Sequence, residues 1–347
     1  MSGGSDDATR DPGGPHTDRG PRVFRHTPVM LAEVVALFAA VPPGVVIDAT
    51  VGGAGHSEAI LDARDDLTVL GIDRDPHAID EATRRLRRFG GRARVVRGRF
   101  ADMTDAVREL DVDHVSGVLM DLGVSSPQLD HPERGFSHSN EAVPDLRMDP
   151  DQPFSALDVV NGYSAAELAD VIRRYGEERY AGRIAHNIVA GRPIESTTRL
   201  AGIVAESIPA PARRKGGHPA RRTFQALRVE TNDELGQLAD ALDEAIDLLL
   251  PGGRAVVISY HSLEDRIVKE RFRRAETGDC RCPPGLDCVC GARPRIKLLG
   301  RRARPASAEE IERNPRSRSA KRRAVEALPL DDAEMLPLGG EQRGAAS

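Results

Sequence analysis

Three aspartates that close apolar runs are the residues of this chain best placed to do chemistry. Asp48 follows Val45-Val46-Ile47, Asp73 follows Val69-Leu70-Gly71-Ile72, and Asp121 follows Val118-Leu119-Met120. Asp48 opens the stretch Asp48-Ala49-Thr50-Val51-Gly52-Gly53-Ala54-Gly55-His56-Ser57. A strand, a glycine turn and a helix N-terminus form a cradle for a nucleotide-like ligand. Asp73 stands seventeen residues past His56, where an acid would hold a ribose diol. A dinucleotide site wants three glycines at fixed spacing, and here the third is misplaced. An acid at position 48 would repel a pyrophosphate but suit the cationic groups of S-adenosylmethionine. The plain alternative is a glycine turn in an ordinary α/β protein.

Those acids need elements to carry them. Helical spacing covers 29–40, closed by Pro42-Pro43-Gly44. A second helix is expected over 76–88, with Pro76 near its start. Arg94-Val95-Val96 reads as a third strand ending at Gly98-Arg99-Phe100, and 115–122 as a fourth. Alternating strands and helices imply a parallel doubly wound α/β sheet, whose ligands bind at the strand C-terminal ends. That edge would gather Asp48, Asp73, Phe100 and Asp121. Residues 125–160 then read as irregular, and 165–175, 178–190 and 198–207 as helices. The alternation returns with a helix over 232–250, a Pro251-Gly252-Gly253 turn, a strand over 254–259 and a helix over 263–274. An all-helical insertion in the sheet domain follows.

At 347 residues with no Trp, the chain must build an aliphatic core. No apolar run approaches the roughly 18 residues of a membrane span. The four Cys share one short segment, which argues against disulfides spread through the fold. A cytoplasmic protein is the simplest reading. The net charge of −5 hides local asymmetry. Residues 213–222 carry five Lys or Arg and no acid, and 293–323 carry twelve against three Glu. Such clusters suit phosphate contacts, or are merely solvated.

Longer motifs make the reading specific. Asp121-Leu122-Gly123-Val124-Ser125-Ser126-Pro127-Gln128-Leu129-Asp130 is followed by Arg134-Gly135-Phe136-Ser137 and Asp145-Leu146-Arg147-Met148-Asp149. Then come Tyr175-Gly176-Glu177-Glu178, Arg222-Thr223-Phe224-Gln225-Ala226-Leu227-Arg228, Ser259-Tyr260-His261-Ser262-Leu263-Glu264-Asp265-Arg266 and Asn314-Pro315-Arg316-Ser317-Arg318-Ser319. From His26 to about Arg323 the chain resembles the ribosomal RNA small subunit methyltransferase H family, also called MraW. The resemblance implies a Rossmann-like class I methyltransferase sheet. It implies methyl transfer from S-adenosylmethionine to N4 of a decoding-centre (P-site) cytidine in 16S rRNA, with the RNA met within the small ribosomal subunit. The methyltransferase domain would span 22–132 and 226–325, and an inserted helical substrate-recognition subdomain 133–225. Disordered tails would span 1–21 and 326–347. A homodimer is left open.

The same resemblance carries cofactor binding onto Ala54, Gly55, His56, Asp73, Phe100, Asp121 and Gln128. Asp73 would accept from both ribose hydroxyls. Phe100 would flank the adenine or serve as a core aromatic. Gln128 offers a donor and an acceptor. His56 would cap its helix or reach the methionine end. Asp121 is the catalytic candidate, since an acceptor that orients the delocalised exocyclic amine of cytosine helps it attack a methyl group. Cofactor binding alone is its other role. No aromatic follows Asp121 directly, and Phe136 is the nearest candidate to stack on a base. Ala54 replaces a usual Gly, Tyr260 a usual Phe and Leu146 a usual Met. If Ala54 needs positive φ, the change costs about 1 kcal/mol or more.

Cys280, Cys282, Cys288 and Cys290 could ligate zinc, although one-residue gaps are not the common spacing. Free thiols or paired disulfides are the alternatives, and no metal enters the expected mechanism. A nucleotide-dependent oxidoreductase and a non-enzymatic RNA-binding protein remain as competing functions. Titration with S-adenosylmethionine and NAD separates the first, and methyl transfer to small subunits the second.

Overall fold

A computed structural model describes residues 28–125, 128–129, 131–214, 217–283 and 288–329. The expected tail at 1–21, and residues 330–347 of the expected tail at 326–347, lie outside the described residues, as does Lys215. The strands are β1 (Gly44–Asp48), β2 (Leu67–Asp73), β3 (Ala93–Arg97), β4 (Val115–Asp121), β5 (Leu249–Ser259), β6 (Ile296–Leu298), β7 (Arg304–Pro305) and β8 (Lys321–Ala327). They form one eight-stranded sheet in the order β3-β2-β1-β4-β5-β8-β6, with β7 beside β8. β1 through β5 run parallel, and β8 pairs antiparallel with β5. This is the expected doubly wound α/β sheet, extended at one edge by antiparallel strands.

The strand sequences explain the order. Six of the seven β4 positions are buried, Val115 through Met120. Such a strand needs cover on both faces and therefore sits centrally. The helix Glu234–Asp247 packs one face through Leu238, Ala241, Leu242 and Ala245. On the other face Val34, Phe38, Ile60 and Leu61 meet Val46, Leu119 and Val256. No helix among the described residues is long and apolar enough to cross a membrane.

Between β4 and β5 stand the helices Ala156–Gly162, Ala165–Gly176, Ala181–Ala190, Thr197–Ser207 and Arg221–Asn232. They enclose a core separate from the sheet, running from Phe136 through Ile172, Ile184 and Leu200 to Leu227. The expected boundary at 225/226 falls inside the helix Arg221–Asn232. Its buried Phe224 and Leu227 belong to the helical core, so that helix goes with the insertion. The expected helix over 232–250 is broken in the same region. Asp233 turns left-handed at φ 49°, and a new helix runs Glu234–Asp247. Pro251-Gly252-Gly253 lies within β5 as a register break, since Val115 pairs with Leu249 but Gly117 with Arg254. The expected tail start at 326 is also too early, because Glu326 and Ala327 pair with Lys297 and Ile296.

The two cores are tied at a few polar points. The Asn232 side chain accepts from Met148 N (2.8 Å) and donates to Leu146 O (2.8 Å), while Arg74 donates to Asn232 O (3.0 Å). Arg97 bridges Asp149 and Asp151, both at 2.6 Å.

Candidate active site

The glycine loop links β1 to the helix Gly55–Ala63. Ala54 caps that helix in the left-handed region, at φ 57° and ψ 26°, and is fully buried. The strain expected for an alanine there is therefore present. Gly55 is required for packing, because a Cβ on it would lie 2.3 Å from Pro28 Cγ. His56 donates from Nε2 to Val29 O at 2.9 Å, the tautomer that partner requires. Its Nδ1 then presents a lone pair towards Asp121 Oδ2, 3.9 Å away. Burial lowers the His56 pKa, so the ring is neutral near pH 7.

Asp73, at the end of β2, is held from two sides. Gly52 N donates to Oδ2 (2.9 Å) and Asp75 N to Oδ1 (3.0 Å). Each oxygen keeps a further lone pair, which suits a diol. Burial raises its pKa, partly offset by those two amides. Asp48 behaves differently from expectation. It is 2 % exposed, accepts from Ser57 Oγ at 2.6 Å, and serves to shape the loop rather than to face a ligand. Burial pushes its carboxyl up to about 6, and neighbouring Asp121 adds to the rise.

Asp121 ends β4, and its carboxyl is pushed up to about 7, chiefly by burial. The Tyr260 hydroxyl donates to Oδ1 at 2.8 Å and pulls the other way, while Glu264 adds to the rise. The sequence marks Tyr260 only as standing where the family usually has Phe. The structure gives its hydroxyl a partner in Asp121 and brings its ring beside that acid. Tyr260 follows β5, just before the helix Ser262–Thr277. Glu264 closes that turn by accepting from Tyr260 N (2.7 Å) and His261 N (3.1 Å). Half-buried Arg228 pairs with Glu234 at 2.8 Å and stands 3.9 Å from Glu264. Two distant motifs thus meet behind Asp121. Neither strand pattern nor spacing signals that meeting.

Other expected residues land differently. β3 ends at Arg97, so Phe100 opens a short 3-10 turn beyond the strand. There it packs partly against the sheet core, with the Arg74 guanidinium 5.9 Å from its ring centroid. Gln128 is 3 % exposed and acts as a brace. It accepts from Ser125 N (3.0 Å) and donates to Asp75 Oδ2 (3.1 Å). Arg134 reaches the same Asp75 oxygen at 2.9 Å. Phe136 is buried in the helical core and cannot stack on a base. Gly135 beside it admits no side chain, as a Cβ would lie 2.3 Å from Val143 O.

The loop fits S-adenosylmethionine on its donor set. Among the described residues no Lys or Arg pairs with buried Asp48 or with Asp121. A bound cation would relieve Asp121, whereas a pyrophosphate would meet repulsion from it.

Comparison with known proteins agrees with this geometry. The family model for the MraW methylase family matches residues 23–328. Ribosomal RNA small subunit methyltransferase H of Geobacter sulfurreducens is 51 % identical over 310 residues, covering 88 % of this chain and 99 % of that protein. The protein of the same name from Acidothermus cellulolyticus is 49 % identical over 327 residues, covering 92 % and 98 %. That from Heliobacterium modesticaldum is 47 % identical over 312 residues, covering 88 % and 99 %. The chain belongs to the MraW methylase family.

Proposed function

We propose that this chain methylates N4 of a P-site cytidine in 16S rRNA, acting in the cytoplasm on the small ribosomal subunit with S-adenosylmethionine as methyl donor. Family membership and the names of its relatives support the substrate. The observation that carries the chemistry is Asp121, an acid at a strand end, held by the Tyr260 hydroxyl and beside His56 Nδ1.

The cytosine amine is a weak nucleophile because its lone pair is delocalised into the ring. When bound, S-adenosylmethionine supplies a methyl group on a positively charged sulfur. Asp73 would hold the ribose, and the loop Gly52–Gly55 would carry the methionine end past Asp121. Ionised Asp121 accepts an N–H of the amine and turns the nitrogen lone pair towards the methyl. The nitrogen must then shed a proton. A carboxyl near pH 7 is matched to receive it at Oδ2. Gln128 acts here by bracing Asp75 and the loop after β4, and Phe100 by lining the adenine side.

The test is nucleoside mass spectrometry of 16S rRNA from a strain lacking the gene. N4-methylated cytidine should fall, return with the wild-type gene, and stay low with Asp121→Ala. An undiminished level in the deletion strain overturns the proposal. Binding of NAD but not of S-adenosylmethionine would instead support the oxidoreductase.

A further inference from the structure

The segment after the helix Ser262–Thr277 plays no part in the chemistry above, yet it gathers all four cysteines of the chain. We propose that Cys280, Cys282, Cys288 and Cys290 form a closed tetrahedral zinc site.

Their Sγ atoms all lie within 4.8 Å of one another. Cys280–Cys288 and Cys288–Cys290 are 3.5 Å apart, and Cys290–Cys280 is 3.7 Å. A ZnS₄ tetrahedron with bonds of about 2.3 Å has edges of about 3.8 Å, so the Cys280, Cys288 and Cys290 separations are close to those of ligands around one ion, and Cys282 stands within 4.8 Å to complete the set. They are far from the S–S bond of about 2.05 Å that a disulfide requires. The backbone N–H of Val289 points at Cys282 Sγ across 3.4 Å, a donor suited to a thiolate.

The thiols have no other reason to converge. Cys288 and Cys290 are exposed, and Val289 between them is 89 % exposed. Among the described residues none of the apolar core clusters includes this segment, so packing does not account for the convergence. Its base, by contrast, is firmly placed. Gly278 ends the helix in the left-handed region, Arg274 pairs with Asp279 at 2.8 Å, and Arg295 N donates to Ala275 O at 2.9 Å. Such anchoring brings the first cysteine pair back towards the second. Four thiolates around Zn²⁺ carry two net negative charges, and Arg281 lies within the set and Arg293 just after it in sequence. With four protein ligands the metal has no open position, so its role is structural. It would pin the connection between the helix behind Asp121 and the sheet-edge strand β6.

The test is independent of methyl transfer. The full chain is purified under reducing conditions without chelator, and its metals are measured by inductively coupled plasma mass spectrometry. One zinc per chain is expected, released on titration with about four equivalents of an organic mercurial. Growth in cobalt should give a chain with the visible absorption of tetrahedral thiolate-bound Co²⁺. The C288S/C290S double variant should lose the zinc to background. Four titratable thiols with no metal, two disulfides, bound iron in place of zinc, or zinc kept by the double variant would each overturn the proposal. Should the double variant fail to fold, the wild-type stoichiometry and the cobalt spectrum decide alone.

Discussion

The Tyr260 hydroxyl donates to Asp121 Oδ1 at 2.8 Å, and a hydrogen bond to an ionised acid favours its ionised form. Tyr260→Phe should therefore raise the Asp121 pKa further above about 7. In single-turnover assays the acid limb of the pH–rate profile should move to higher pH. Activity at pH 6 should suffer more than activity at pH 9, and an unmoved limb would show that Tyr260 only packs. The same acid links pH to stability. Its carboxyl titrates near 3.9 in an unfolded chain and is pushed up to about 7 in the fold. Between those values the native state binds more protons, so stability falls as pH rises, and the full penalty is present above about 7. Asp121→Asn should stabilise the cofactor-free chain at pH 8 but hardly at pH 4, as read by thermal melts. Equal effects at both pH values would contradict this. In the proposed binding mode Asp73→Ala removes the charged acceptor for two ribose hydroxyls, each such bond being worth roughly 1.5–3 kcal/mol. Calorimetry should show S-adenosylmethionine binding weakened by at least tenfold. The three acids were legible because each closes an apolar run. What Asp48 and Gln128 touch was not, since both bond to residues that only the folded loops bring near.

At the scale of elements, the strand end and the helix start are one device. The run from Ser259 to Glu264 looks like a catalytic motif, but much of it is a helix cap. Glu264 satisfies two amides of the turn and faces His261 at 3.1 Å and Arg228 at 3.9 Å. Glu264→Ala leaves those amides and part of the Arg228 charge buried without an acceptor. A loss of about 3 kcal/mol is expected, read as a lower urea midpoint. Turnover should fall as well, because Tyr260 loses its tether. A variant as stable as wild type would contradict the capping role. The left-handed Ala54 shows how an element absorbs a departure from the family pattern. Its φ of 57° costs about 1 kcal/mol, while its buried methyl returns about 0.8 kcal/mol. The terms nearly cancel, which explains why the alanine is tolerated. Strands and helices read well where apolar periodicity is strong, as in β1, β4 and the helix Ala165–Gly176. They read poorly where polar residues begin a helix. Arg221-Arg222-Thr223 looks like the end of a basic loop, yet it starts the helix that completes the insertion's core.

For the whole molecule, charge placement matters more than net charge. The chain carries −5 overall, yet Arg213, Arg214 and Arg221 stand exposed on the helical insertion. The local field steers a polyanion. Arg222 next to them is already engaged, donating to Glu177 O at 3.2 Å. Glu177 in turn meets Arg266 at 2.9 Å and the Ser262 hydroxyl, both on the helix behind Asp121. The insertion is thereby fastened beside the C-terminal end of β4, and in the proposed function its arginines would receive RNA while the sheet holds the cofactor. Replacing Arg213, Arg214 and Arg221 together by Ala removes three candidate phosphate contacts. Each contact contributes close to one unit to the slope of log K against log salt. The apparent KM for small ribosomal subunits should rise, and its salt dependence should flatten by up to about three units. Affinity for S-adenosylmethionine should not change, because none of the three touches the loop or its acids. An unchanged KM and salt slope would mean that this face is merely solvated and that RNA approaches elsewhere. The exposed Arg301, Arg302 and Arg304, near the sheet edge, would then be the next residues to neutralise.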